Sequence, residues 1–225
     1  INFKDVYFYE LCATAMEEFV FDTVNDYYGY QRSFFIGADK PLPLQGGYNS
    51  AHWNIYLVEK FKDVSILRHQ WELMKLYRPL EAIQYSLTAR GSSLPAAWQN
   101  FAEWCYFSGH RYKPGYFEEG MHYPSVEPLV STSMLFNSLT LQLSLRPMSL
   151  NYLRVINENN ILNDTLFVIY TNSDAERGTD SLGSRADLNF QLTNYETVSS
   201  QKITDNYYLK TGVLQPLLWG YSSVL

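Results

Sequence analysis

Up to about residue 109 hydrophobic residues recur at helical spacing, and from about residue 131 they fall at every second position. No single type of element satisfies both periods, so the chain divides into a helical half and a strand half. Residues 5–28 read as one helix, followed by a loop marked by Pro41, Pro43, Gly46 and Gly47. Ser50 is an N-cap for a helix that carries Trp53, Tyr56, Leu57 and Phe61 on one side, with His52 in its first turn. Asp63 caps another, whose stripe is Val64, Leu67, Trp71, Met74 and Tyr77, and Pro79 forbids its continuation. Leu80, Ile83 and Leu87 give a short helix stopped near Gly91. Ser93 and Pro95 open the last, with Trp98, Phe101, Ala102 and Cys105 as its core face and Gly109 at its end. Residues 109–124 contain three glycines and no period, and read as a long loop.

Leu139, Leu141, Leu143 and Leu145 alternate with polar residues, as do Leu188, Phe190 and Leu192, which is the pattern of half-buried strands. Residues 150–156, 166–171, 202–209 and 217–224 bring the expected number to about six. Polar turns separate them at 157–163, 172–184 and 194–200. Successive strands without intervening helices favour antiparallel pairing. The expected fold is therefore α+β, with a helical unit over residues 1–125 and an antiparallel β-sandwich over 126–225.

The chain has 225 residues with 46% hydrophobic and 18% charged content, enough for a substantial core. A net charge of -6 with 17 scattered Lys and Arg argues against a nucleic-acid partner. No apolar run reaches the roughly 18 residues a transmembrane helix needs. Ile1 is not an initiator Met and no signal peptide is visible, so the chain is expected to begin inside a longer protein or after a cleavage. Cys12 and Cys105 form no Cys-x-x-Cys pair and read as buried small apolar residues, with a disulfide between them as the less favoured alternative.

Within the first helix, Glu10 and Glu17 lie seven residues apart and so on nearly one face, with Ala13 and Thr14 between them. That arrangement leaves room for something to approach the backbone, and it also suits an ordinary amphipathic helix whose acids face water. The run Glu10-Leu-Cys-Ala-Thr-Ala-Met-Glu-Glu18, followed by Val24-Asn-Asp-Tyr-Tyr28, resembles the E-G-T-A-T-W-M-E-E…V-N-D-Y-Y region of secreted bacterial zinc metallopeptidases, gluzincin-like and of myxobacterial type. Residues 53–61, 66–72, 116–120 and 123–124 are similar to further landmarks of that family, so the likeness spans roughly residues 6–125. The chain departs from the pattern at Leu11, where the family has Gly, and at Ala15, where it has Trp.

By this resemblance the chain is the C-terminal portion of a secreted or cell-surface peptidase, in which Glu10 is the third zinc ligand and Glu17 steadies a ligand from behind. The His-Glu-x-x-His helix that supplies the other two ligands and the general base is absent from the 225 residues. The resemblance therefore implies zinc in the complete parent protein and none in this chain alone. It implies as partners an upstream portion of the same protein or another subunit, and a protein or peptide substrate.

None of the four histidines forms an i, i+4 pair. His110 and Tyr123 are candidates for the substrate side, able to stabilise an oxyanion if their loop folds over the Glu10 helix, although hydrogen bonding and packing are the commoner roles. Glu118 and Glu119 read as a solvated turn. The acids at 174, 176 and 180 lack a full calcium-ligand pattern, and Asn163-Asp-Thr165 fits a glycosylation sequon. The competing expectation is a non-catalytic extracellular component that binds a protein or glycan through the sandwich.

Overall fold

The computed structural model describes residues 5–134, 146–157, 188–190 and 222–224. Six helices come first: α1 (Val6–Val20), α2 (Tyr28–Ile36), α3 (Ala51–Phe61), α4 (Ser65–Leu73), α5 (Pro79–Thr88) and α6 (Leu94–Tyr106). Helix α3 is central, since every residue from Ala51 to Leu57 is buried and α1, α4 and α6 all pack on it. The first turns of α3 are thus enclosed on every side, His52 and Asn54 included, and the helices around it are amphipathic for the complementary reason.

At the middle of the core, the Phe101 ring lies 5.1–5.4 Å from those of Trp53, Trp98, His52 and Tyr56. Phe34 and Phe117 close the same cluster at 6.0 and 6.4 Å. This is where the aromatic wealth of the sequence goes.

Polar ties fix the periphery. Arg90 donates to Asp63 Oδ2 at 2.8 Å and to the Ser86 carbonyl at 3.0 Å, joining the start of α4 to the end of α5. Asp63 also accepts from the Ser65 amide at 2.9 Å, one residue ahead of the cap position, which Val64 holds without a side-chain cap. Arg78 meets the buried Asp5 at 2.6 Å, linking the N-terminal ends of α1 and α5.

Three local expectations change. The helix expected over 5–28 ends at Val20, and Gly29 lies inside α2 rather than in a loop. Asp22, Thr23, Asn25 and Asp26 compete with the helix for backbone hydrogen bonds. The chain instead turns through Val24 N–H to Phe21 C=O at 2.7 Å and Tyr28 N–H to Asn25 C=O at 3.1 Å. In α4 the buried residues are Ile66, Leu67 and Gln70, whereas Val64 and Trp71 are exposed. Trp71 stacks outside on Tyr9, ring centroids 5.4 Å apart. Ser50 precedes α3 but makes no side-chain cap, its hydroxyl bonding Asn49 instead.

The antiparallel β-sandwich is overturned. The described strands are short, β1 (Val130–Met134), β2 (Ser149–Asn151), β3 (Leu153–Asn157), β4 (Leu188–Phe190) and β5 (Ser222–Val224), and they pair in parallel. Val130 to Met134 runs in register with Leu153 to Asn157, and β5 lies between β2 and β4. A period of two reveals that a segment is extended and which face is apolar, but it is silent on the direction of the partner strand. The strand expected over 150–156 is two elements with Tyr152 between them. Expected strands at 139–145, 166–171 and 202–209 lie outside the described residues, as does nearly all of the turns expected at 157–163, 172–184 and 194–200.

Residues 148–152 are bound into the helical body. The Leu42 and Leu150 amides donate to the Met148 and Ala38 carbonyls at 2.8 Å each. Trp98 Nε1 donates to the Ser149 carbonyl at 3.2 Å, and the Tyr152 hydroxyl to the Ala102 carbonyl at 2.9 Å. Among the described residues no helix is long and apolar enough to cross a membrane.

Candidate functional site

Helix α1 buries Tyr7, Phe8, Leu11, Cys12, Thr14 and Ala15, leaving the other face to Glu10, Ala13 and Glu17. Both carboxylates are half-buried; of the two small residues expected to leave room between them, Ala13 is exposed and Thr14 is buried in the core, so the strip on the outside of the helix is open along Ala13 alone. Val6, Met16 and Val20 flank it, exposed by 37%, 42% and 57%, which makes the surroundings of the two acids apolar. One Glu17 carboxylate oxygen is buried with no hydrogen-bond partner among the described residues. Neither acid forms an ion pair among the described residues.

Gly47 sets one border of the strip. At φ +75° it lies so close to α1 that a Cβ there would stand 2.5 Å from Glu10 Cβ and 3.0 Å from the Tyr7 carbonyl. Tyr48 follows, and the neighbouring Glu10 carboxylate raises its phenol pKa. Neither residue was a candidate in the sequence, where Gly46-Gly47 signals only a loop. Gly47→Ala is expected to lower stability by more than the ~1 kcal/mol typical of a left-handed strain, because the loop must also lift off the helix. A thermal melt unchanged from the parent would contradict that close approach.

The other end of α1 is an acidic corner. Carboxylate oxygens of Glu18, Asp22 and Glu119 lie within 4.8 Å of one another. Tyr27 donates to Glu119 Oε2 at 2.6 Å and shares a 2.9 Å hydrogen bond with Tyr123. Burial, and then repulsion from Glu119 and Asp22, push the Glu18 carboxyl up to about 7. Glu59, on α3, is also pushed up to about 7, chiefly by burial, against a lowering from the Glu118 amide that donates to it at 3.1 Å and from Lys62.

Both folded values exceed the ordinary 4.5, so the folded protein holds protons that the unfolded chain releases. Their stabilising contribution is whole below about pH 4.5 and is lost as pH rises to about 7. Melting temperature from these two groups is expected to fall over that interval, and the combined Glu18→Gln and Glu59→Gln variant to flatten the dependence. A variant whose melting profile keeps the parent's slope would place the titration elsewhere.

The structure keeps the remaining candidates apart from Glu10. His110 is exposed, its Nδ1 2.8 Å from Ser125 Oγ and its Nε2 3.0 Å from the Arg111 guanidinium. Tyr123 is buried with its hydroxyl on Tyr27, at the Glu18 end of α1 rather than the Glu10 end. His122 stacks on Tyr28, ring centroids 6.1 Å apart. His69 meets Arg90 at 3.3 Å. His52 lies between Phe35 and Phe101, and complete burial pushes its imidazole down to about 3, so it stays neutral. Cys12 and Cys105 are both buried and free, and burial pushes the Cys12 thiol up to about 12 despite a 3.1 Å hydrogen bond from Asn54.

Among the described residues the chain therefore offers carboxylates on one open strip and no histidine beside them. No protein-family model matches the chain, and neither the curated proteins nor the solved structures contain a match.

Proposed function

We propose that this chain is the portion of a zinc metallopeptidase-like protein that carries the third metal ligand, with Glu10 as that ligand and Glu17 steadying a neighbouring one. The observation behind this reading is the strip itself. Glu10 and Glu17 stand on the one face of α1 that the helical core does not use, in apolar surroundings, and Glu17 has a buried oxygen still lacking a donor. An imidazole N–H from a metal-binding histidine is the donor that such an oxygen would take.

A carboxylate is an acceptable third ligand to zinc, and two histidines from a His-Glu-x-x-His helix lying along the strip complete the set. When bound, the metal supplies polarisation of the peptide carbonyl and a more acidic water. Glu10 contributes negative charge, with Tyr48 beside its carboxylate and the backbone of Gly47 close against its Cβ. The apolar flank formed by Val6, Met16 and Val20 would exclude water once the partner helix is in place.

Metal analysis of the isolated 225-residue chain is expected to find no stoichiometric zinc, and of the complete protein one zinc per chain. One tightly held zinc in the isolated chain would contradict the proposal, because a full ligand set would then exist without the partner helix.

A further inference from the structure

Beside the strip runs a groove of about 650 Å³ between the outer face of α2 and the loop at 46–49. Tyr30 and Tyr48 form its aromatic side, with ring centroids 5.5 Å apart, and Ile36 adds an apolar surface that is 53% exposed. Arg32 and Lys40 also line it, both exposed and neither in an ion pair among the described residues. None of the lining residues is a carboxylate, in a chain whose net charge is -6. The groove borders the Glu10 carboxylate through the Tyr48 hydroxyl.

We infer that this groove receives an extended peptide carrying an Asp or Glu side chain, with the carboxylate between Arg32 and Lys40 and a neighbouring apolar side chain against Tyr30, Tyr48 and Ile36. Two cations with no ion-pair partner among the described residues, and no carboxylate among the residues lining the groove, attract a carboxylate and repel a basic side chain, which gives specificity as well as faster encounter. An arginine offers a planar fork matched to a carboxylate, and a lysine adds a mobile point charge. The tyrosine pair supplies rigid contact area at small cost in conformational entropy. That the bound peptide is a substrate rests on the metallopeptidase reading. That it binds does not.

The test is fluorescence anisotropy with the isolated chain at low ionic strength. The probe is a labelled octapeptide, acetylated and amidated, with a central Tyr-Glu pair. Its comparison peptides are a Tyr-Gln version and a Tyr-Lys version. The Glu peptide is expected to bind most tightly, and Arg32→Ala and Lys40→Ala each to weaken it by roughly threefold to fivefold, the range of exposed ion pairs. Added salt should erase the preference.

Arg32→Glu should reverse the order in favour of the Lys peptide. Arg68→Ala, on the exposed side of α4, should change nothing. Circular dichroism of each variant separates lost binding from lost folding. Equal affinity for the Glu and Gln peptides, no binding of any peptide, or insensitivity to both Arg32 and Lys40 would overturn the inference. So would tighter binding of an uncapped peptide whose only carboxylate is its C-terminus. Zinc content of the complete protein is a separate readout. Loss of zinc in Glu10→Ala together with an indifferent groove would reject the groove alone, and the converse would reject the metal site alone.

Discussion

In the complete protein, Glu10→Ala is expected to lose zinc and peptidase activity together, while the isolated chain carrying the same change keeps its helical spectrum. The fold is spared because Glu10 belongs to the face of α1 that the core does not use. Under the proposed reading the metal is not, because removing one of three protein ligands would leave the ion under-coordinated, and even outer-shell changes alone cost about 10- to 100-fold in affinity or activity. Glu17→Ala should fall within that outer-shell range. Glu18→Ala should leave zinc in place, since Glu18 points about 80° around the helix from Glu10, toward the Asp22 and Glu119 corner. Zinc content and hydrolysis rate, measured on the three variants in parallel, give the order. Full zinc and full rate in Glu10→Ala would reduce the strip to scaffold.

Phe101→Ala is expected to cost about 3–5 kcal/mol of folding stability, the usual range for deleting a buried aromatic ring. Phe101 is fully buried and touches rings from α2, α3 and α6 as well as Phe117 from the loop after α6. A cavity at that junction cannot close by moving one neighbour, because each neighbour is held by another. Denaturant unfolding of the described helical body would measure it. A loss below about 1 kcal/mol would mean that the aromatic cluster repacks freely, contrary to the close-packed arrangement. Val64→Ala and Leu76→Ala, at exposed positions, are the matched controls.

The helices were legible because their signals are local. Ser93 caps α6 through a hydrogen bond from the Ala96 amide at 3.3 Å, and the Trp98, Phe101, Ala102 and Cys105 stripe is buried as its spacing implied. Pro79 marked a boundary correctly, although it opens α5 at the first helical position as well as ending what precedes it. The end of α1 was misread because Phe21 and Val24 continue an apolar pattern over residues that prefer turns, and both side chains prove to be exposed.

What failed was what depends on distant partners. Residues 150–156 were expected to be a strand, but the parallel partnership of β2 with β5 joins segments some seventy residues apart, and no local pattern encodes it. The same limit applies to the site. Seven-residue spacing placed Glu10 and Glu17 on one face, whereas the approach of Gly47 and the hydroxyl of Tyr48 arise from a loop that only the packed structure brings alongside. His110 and Tyr123 share one loop by sequence, and their hydrogen bonds to Ser125 and Tyr27 are likewise contacts that only the packed structure makes.

Anomalous diffraction at the zinc edge from crystals of the complete protein tests directly whether Glu10 holds a metal. The expected result is a single strong peak about 2.0–2.2 Å from a Glu10 carboxylate oxygen, with two imidazole nitrogens at about 2.0–2.1 Å. A peak at the Glu18, Asp22 and Glu119 corner with none at Glu10 would contradict it.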